Sequence, residues 1–517
     1  MIVTPLRIIP VVLLFALVAY LSLFKGTFEH IADDPGLGWH LANGSVITET
    51  HAIPRVDPFL APALVPNSFA AVGEPRPWIN EQWLGDVLLF ELCSRGGWPL
   101  VYGAIAGLYL FAYFGIVADS LRRSGEGMLL VLLGIVLAFK LGQVHLIARP
   151  VLFSIVFFSL CVARCHAMMT RHEWSWSWVR HEALVLGGLI AVWANTHPAF
   201  IYGIVVLGLA MVSLVNAGAQ GRERAVKVAF IVMICALATS LNPFGFGLYE
   251  SLITLGGDSA LRSITNEWSP VSLGSAEGKL LLVLFLTPTV CALVSSHLRR
   301  GIGLFEVLLA SVFTLQALWV VRVVPFASLA CLPLWAACFG GKELLPERPY
   351  AALPKRVLHR LDRRENAFVA PGIWSSVVIG LSGIVVMLLA PTRAFSHPVG
   401  SRYERRLHEM FGTAHVPQGR VVFASPDWGG AITHLMWPDS RAVIDDRTVV
   451  VRDGLYRAYR QSLRDPGVFE DLARVFGVTD ALVPSGTVLE MYLHEAVGWR
   501  RVGESDNTIL FSRALGG

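Results

Sequence analysis

Apolar runs about as long as a bilayer is thick recur along the first three-quarters of the chain, separated by short polar turns. About 18 or more weakly charged residues in a row can cross ~30 Å of hydrocarbon as a helix. The pattern predicts membrane helices near 6–24, 99–118, 128–146, 150–168, 182–195, 199–217, 227–241, 279–296, 303–320, 323–340 and 374–391. Segment 82–95 (QWLGDVLLFELCSR) reads as an interfacial helix or the start of the second span. The first run, Leu6 to Phe24, is longer than the apolar part of a secretory signal and has no A-x-A-like cleavage site, so it reads as a retained helix. Beyond residue 391 the period changes. VVFA (421–424), RAVID (441–445), DALVP (480–484) and TILFS (508–512) predict short strands, with GLYRAYRQSL, FEDLARVF and TVLEMYLHEAV as amphipathic helices between them. Strands alternating with helices argue for a small α/β layer structure.

The expected organisation is a polytopic α-helical membrane protein of about eleven spans over residues 1–391. A linker follows at 392–420, then a separate soluble α/β domain at 421–517. Composition agrees: 54% of the 517 residues are hydrophobic and 15% charged, against roughly 25% charged in soluble domains. The net charge of +4 is spread over loops and gives no reason to expect nucleic acid as a partner. Six of the seven cysteines fall within apolar runs, Cys93 lies near a helix start, and none lies beyond 391, so no disulfide framework or Cys-based metal site is expected. Cys161 and Cys165 share a helix face and read as small packing residues.

Charge placement sets the topology. The loops DSLRRSGEG, TRHEWSWSWVRH, GAQGRERAVK and HLRRG carry two or three Lys or Arg each, and the segment 341–368 carries seven. All fall on one side of an eleven-span chain, which the positive-inside rule makes cytoplasmic. The opposite, outer face then receives the long first loop 25–98, the turns around Arg149, His197 and Arg322, the loop 242–278 and the whole tail. Polar residues at helix ends collect on that face: Asp33, Asp34, His145, Arg149, Asn195, His197, Asn242, Glu267 and Arg322. Charges within spans are costly and usually paired or functional.

The first loop carries ADDPGLGWHLANG (32–44), HAIPRVDPFL and PRPWINEQWLGD, with seven prolines and four tryptophans counting Trp98. Such a long loop without strong secondary structure is functional or disordered, and its prolines and tryptophans favour an ordered loop at the membrane surface. Trp78 and Trp83 read first as interfacial anchors. The pair Asp33 and Asp34 has three readings: a base toward an acceptor hydroxyl, ligands of a divalent cation, or a solvated helix boundary. His40 could orient one of these carboxylates or contact a phosphate. Arg149 and Arg322 suit an anionic lipid, since arginine binds phosphate bidentately and keeps its charge. Asn195, His197, Glu267 and Glu81 are further candidate substrate contacts. Asn43-Gly44-Ser45 is a formal sequon of a kind common by chance. In the tail, Asp427-Trp428-Gly429-Gly430 and Asp445-Asp446-Arg447 could form a ligand edge, or equally start a helix and cap a strand.

At these motifs the chain resembles the GT-C membrane glycosyltransferases, which include protein O-mannosyltransferases, aminoarabinose transferases and the catalytic subunit of oligosaccharyltransferase. More closely, it resembles a group of bacterial multi-pass proteins sharing D-P-x-x-x-W-H-x-x-x-G, I-P-x-x-D-P-F and W-x-x-x-x-W-L. Here these are Asp34-Pro35 to Trp39-His40 with Gly44, Ile53-Pro54 to Asp57-Pro58-Phe59, and Trp78 to Trp83-Leu84. The likeness continues through ARP, WANTH, LNPFG, NEWSP, PDWGGAITHLMWP and AVIDDR. It departs in having Asp-Asp where the mannosyltransferases have Asp-Glu, and in lacking W-W-D-Y-G and a strict D-x-D.

The resemblance implies a GT-C-like fold in a bacterial inner membrane, with the N-terminus cytoplasmic and the tail outside. It implies transfer of a sugar from a polyprenyl-phosphate-linked donor to a glycan, lipid or protein hydroxyl. Asp34 or Asp33 would then be base or metal ligand, with His40 positioning it, Arg149, Arg322 and His197 facing the departing phosphate and Glu267 near acceptor or metal. A divalent cation is the one cofactor it suggests. A lipid-linked-substrate flippase and a non-catalytic envelope assembly or sensor protein are the alternatives. A flippase predicts repeated halves and midplane charges, which the sequence lacks.

Overall fold

The computed structural model describes residues 34–65, 76–117, 120–121, 128–215, 217–257, 266–295, 301–339, 402–411, 419–448, 450–451 and 453–513. The expected first and last spans, most of the linker, and Asp33 lie outside these residues. The described chain is mainly helical. Helices α1 (Leu37–Thr50) and α2 (Trp83–Leu110, continued by a π-helical turn Phe111–Val117) lead into α3 (Met128–Gly142), α4 (Val151–Met169), α5 (Trp176–Thr196) and α6 (Ile201–Val215). Then come α7 (Gly218–Ala238), α8 (Gly247–Gly257), α9 (Ala276–Val294), α10 (Leu304–Trp319) and α11 (Val324–Phe339).

Nine of these helices fall on the nine inner predicted spans. Five helical stretches, Trp83–Val117, Val151–Met169, Pro198–Val215, Ala276–Val294 and Val321–Phe339, are long and apolar enough to cross a membrane by length and composition. The protein is a multi-pass membrane protein. Segment 82–95 belongs to the second helix, which bends at Gly97, where φ is 61° and a side chain would be strained, two residues before Pro99.

The tail begins with α12 (Arg402–Phe411), inside the stretch expected as linker. It continues as β1 (Val421–Phe423), α13 (Pro426–Met436), β2 (Arg441–Ala442), α14 (Asp453–Ser462), α15 (Pro466–Phe476), β3 (Asp480–Pro484), α16 (Val488–Glu495), β4 (Trp499–Ser505) and β5 (Thr508–Arg513). The strands form one sheet in the order β2-β1-β3-β5-β4, parallel across β2-β1-β3 and antiparallel across β3-β5-β4. Strand β4 and helix α12 were not expected, whereas α13 opens with Pro426 and Asp427-Trp428-Gly429-Gly430, the helix-start reading of that stretch. WRRVGES carries three charges and no clean alternation.

Two hydrophobic cores meet at α1. The expected loop 32–44 is helical from Leu37, and every residue from Leu37 to Gly44 is buried. Leu37 and Leu41, four apart on one face, join the bundle core. Trp39 and Ala42, on another, join a second core with the tail, to which first-loop residues Phe59, Leu60, Ala61, Ala63 and Trp78 also belong. The tail therefore does not stand apart from the first loop as a separate core. Ala61 N–H donates to Ala442 O at 2.8 Å, capping the outer edge of β2 with first-loop backbone. The parallel pairing of β1 and β2 brings both their C-terminal ends to the edge facing α1. From there β1 leads into α13, and β2 leads into Asp445-Asp446-Arg447.

Helices α1 and α13 cross in near-backbone contact. A Cβ on Gly38 would lie 2.1 Å from Gly430 O, and one on Gly430 would lie 2.1 Å from Pro35 O. Gly430 thus serves helix packing, and a Cβ on Gly429 would lie 2.3 Å from Asp445 Cβ in the turn after β2.

Candidate functional site

A polar cavity of about 70 Å³ opens where six segments converge. Trp39 and His40 come from α1, and Trp78, Asn80, Glu81 and Gln82 from the turn before α2. Arg149 precedes α4, His197 and Pro198 follow α5, Arg322 precedes α11, and Asp446, Arg447 and Thr448 follow β2. Of the residues picked from sequence, His40, Glu81, Arg149, His197 and Arg322 line this one cavity. All sit at helix ends or turns, where backbone polarity is easiest to satisfy and side chains can face one another.

Arg149 is the hub. Its Nε donates to both carboxylate oxygens of Asp34, at 2.7 and 3.0 Å, and one Nη donates to Asp446 Oδ2 at 2.8 Å. The other Nη lies 3.7 Å from Glu267, whose second oxygen is 3.5 Å from Arg322 Nε. Asp34 also accepts the Gly36 N–H at 2.8 Å, so both its oxygens are engaged, and it is not among the cavity-lining residues. Burial works against the Arg149 charge, but Asp34, Glu267 and Asp446 override it and hold the guanidinium protonated. Burial likewise works against the Glu267 charge, but Arg149 and Arg322 together pull its carboxyl down to about 2. Arg322 stacks over Trp268, 5.2 Å from the ring centroid.

Both histidines are neutral. His197 is pushed well below its ordinary value by burial, then by the nearby Arg322. Its Nδ1 accepts the Ala199 N–H at 3.2 Å and meets Ser154 Oγ at 3.0 Å, while Ser154 accepts from Trp193 Nε1 at 2.7 Å. With Nδ1 accepting, the ring proton sits on Nε2, a donor that carries no full charge. His40 is lowered by burial and by Arg149. Its Nδ1 bonds Asp86 at 2.6 Å, and Asp86 takes Asn43 Nδ2 at 2.5 Å on its other oxygen. Asp86 thus fixes the His40 ring, a partner that the sequence did not single out. Asn43 is fully buried between Asp86 and Asn80.

Glu81 is the exception to this pairing. It is buried, and its Oε2 has no hydrogen-bond partner among the described residues. Burial, with the neighbouring Asp86, pushes its carboxyl up to about 7. Asp446, which sequence reasoning weighed only as a strand cap or ligand edge, is also lifted to about 7 by burial, against the pull of Arg149. A separate cluster lies behind it. Arg447 donates to Asp445 at 2.7 Å and to Asp57 at 2.9 Å, with Trp78, Phe59 and Trp39 centroids 4.8, 5.3 and 5.4 Å from its guanidinium carbon.

Other expectations take different places. Trp78, read as a surface anchor, is buried against Arg447 because the tail covers the first loop. Trp83 is partly buried, and its Nε1 donates to Asn195 Oδ1 at 2.9 Å. The Asn195 amide ties the end of α5 to Ala191 O and Leu241 O and does not line the cavity. Asn242 closes its own turn through Thr239 O, Gly245 O and Phe244 N–H. His145 is buried within electrostatic reach of His197 and Glu267. Among the described residues no group of three or more His, Cys, Asp or Glu is placed to hold a metal ion. Both Asp34 oxygens face Arg149, and Asp33 lies outside the described residues.

No family model matches the chain, and no curated protein matches it. Among solved structures it is similar to the archaeal oligosaccharyltransferase AglB from Archaeoglobus fulgidus, solved with an inhibitory peptide and a dolichol-phosphate. That alignment has a TM-score of 0.49 and 11% identity, over 98% of this chain and 74% of that one. It is also similar to ArnT from Cupriavidus metallidurans bound to undecaprenyl phosphate, with a TM-score of 0.49 and 10% identity over 98% of both chains. The apo state of ArnT aligns with a TM-score of 0.47 and 11% identity over 97% of both chains.

Proposed function

We propose that this protein transfers a sugar from a polyprenyl-phosphate-linked donor to an acceptor hydroxyl on the outer face of a bacterial inner membrane. One observation carries the reading: a buried carboxylate with an unpaired oxygen, Glu81, shares a cavity with three arginines, Arg149, Arg322 and Arg447, and two neutral histidines. The sequence resemblance to GT-C enzymes agrees with it. Glu81 is the base. A carboxylate that titrates near 7 takes the acceptor proton efficiently at neutral pH. As the acceptor oxygen bonds the sugar anomeric carbon, the bond from that carbon to the phosphate oxygen breaks, and its electron pair leaves with the lipid phosphate. Arg149 and Arg322 stabilise that developing charge, with Glu267 moving aside from between them and the His197 Nε2–H as a neutral donor. Asp34, bound in place by Arg149 and Gly36, fixes the guanidinium. His40, fixed by Asp86, orients the acceptor. The acceptor is a glycan, lipid or protein hydroxyl.

The test is transfer from a tagged polyprenyl-phospho-sugar in membranes carrying wild type or Glu81→Gln. The expected loss is about 10²–10⁴-fold with protein level preserved and no fall in melting temperature. Undiminished transfer by Glu81→Gln removes it as base.

A further inference from the structure

Three carboxylates crowd Arg149, and they are held to different degrees. Glu267 reaches it only at 3.7 Å and is partly exposed, so it can leave. Asp34 is chelated by the Nε edge and by a backbone N–H. Asp446 occupies an Nη at 2.8 Å, and its other oxygen accepts Trp39 Nε1 at 2.8 Å. The chain on either side of Asp446 is immobilised. Asp445 takes the Arg447 N–H at 3.0 Å and its Nε at 2.7 Å, Tyr456 O–H donates to Asp445 O at 2.8 Å, and Arg447 also holds Asp57. A phosphate arriving between Arg149 and Arg322 can displace Glu267, but it cannot displace Asp446.

We propose that Asp446, supplied by the tail, sets the affinity of the site for an anionic headgroup by cancelling part of the Arg149 charge at a fixed position. This rests on the reading that the cavity takes a lipid phosphate. The tail is then part of the donor subsite. Its carboxylate keeps the phosphate bound loosely enough to leave after transfer, and a proton on that carboxylate relieves the repulsion. The charged groups that bear on it are Arg149 before α4, Asp34 before α1, Glu267 before α9 and Asp445 on its own turn. Arg447 follows it in the chain, and Asp427 of α13 interacts with Arg149 and Glu267.

The test measures binding of methyl farnesyl phosphate, a lipid phosphodiester singly charged throughout the range, to the full chain in nanodiscs. At about pH 8, Asp446→Asn is expected to bind about tenfold more tightly than wild type, with the ratio closing toward one by about pH 5.5 as the native carboxyl takes its proton. A purely structural role for Asp446 predicts weaker binding, not tighter. Glu81→Gln supplies a second reading should Asp446→Asn fail to fold. Its affinity is expected to keep rising as pH falls, and a flat profile overturns the inference. If wild type binds the probe, Arg322→Ala loses it and Asp446→Asn gains nothing at about pH 8, the inference fails alone. If wild type does not bind the probe, the phosphate reading fails and takes the inference with it.

Discussion

Arg447 is a buried and Arg149 a half-buried arginine among carboxylates, and adjacent residues of one tail turn, Asp446 and Arg447, connect the two clusters. Their environments differ. Arg447 is 1% exposed, its two carboxylate partners lie within 3 Å, and three aromatic rings enclose it. Both line the cavity, but Arg149 is 12% exposed, and one of its three carboxylates is 31% exposed and distant. The first cluster holds both its carboxylates within 3 Å and fixes the tail to the first loop, with only Arg447 Nη1 left without a hydrogen-bond partner among the described residues. The second has one loose partner, so a ligand can enter it. Closure of the contact shell, and not burial of charge as such, separates the structural arginine from the functional one.

Breaking each hub measures that difference most strongly. Arg447→Ala leaves Asp445 buried without its cation and Asp57 with only Arg76, 3.6 Å away, a defect that costs about 3–5 kcal/mol. The expected outcome is a steep drop in melting temperature and easy proteolysis of the tail. Arg149→Ala leaves its carboxylates beside a cavity that water can enter, so its melting temperature should fall by less than half as much while lipid-phosphate binding disappears. Equal thermal losses in the two variants would erase the distinction between the clusters.

The next effect concerns the joint that aligns the clusters. Gly430→Ala places a methyl against Pro35 O, where an ideal Cβ would sit 2.1 Å away. Overpacking of this kind costs about 1–3 kcal/mol. It should prise α13 from α1, weaken the grip of Asp446 on Arg149 and lower the melting temperature by less than Arg447→Ala. An unchanged melting temperature would mean that the crossing is not tight.

The same crossing shows what could be read from sequence. Apolar run length located nine helices, because membrane insertion demands it of each segment separately. His40, Glu81, Arg149, His197 and Arg322 were legible because polar residues at apolar helix ends are conspicuous. Helix α1 was not legible. It buries one face in the bundle, another in the tail and a third against Asp86, so no single apolar stripe marks it. Nor was the contribution of Asp446, which depends on a turn more than 400 residues from Trp39 folding against it. The engagement of Asp34 is equally a tertiary fact: the Arg149 that binds it is 115 positions away.

The smallest effect is one of pH, and the two clusters carry it with opposite signs. In the closed cluster burial would raise the Asp57 carboxyl, but Arg447 overrides it and holds it below its ordinary 3.8. Its contribution to stability is therefore present above that value and lost as acid protonates it. Glu81, in the open cluster, goes from about 4.5 unfolded to about 7 folded because of burial. Its protonated form favours the fold, so its contribution is full below about 4.5 and is lost as pH rises through about 7. Glu81→Gln cannot ionise. Its melting temperature should match wild type near pH 4.5 and exceed it by about 2–5 °C near pH 8. A wild type that instead gains stability relative to Glu81→Gln as pH rises would mean that Glu81 is ionised and paired in the fold. It would then belong with the closed cluster, and it would not be available to take a proton from an acceptor.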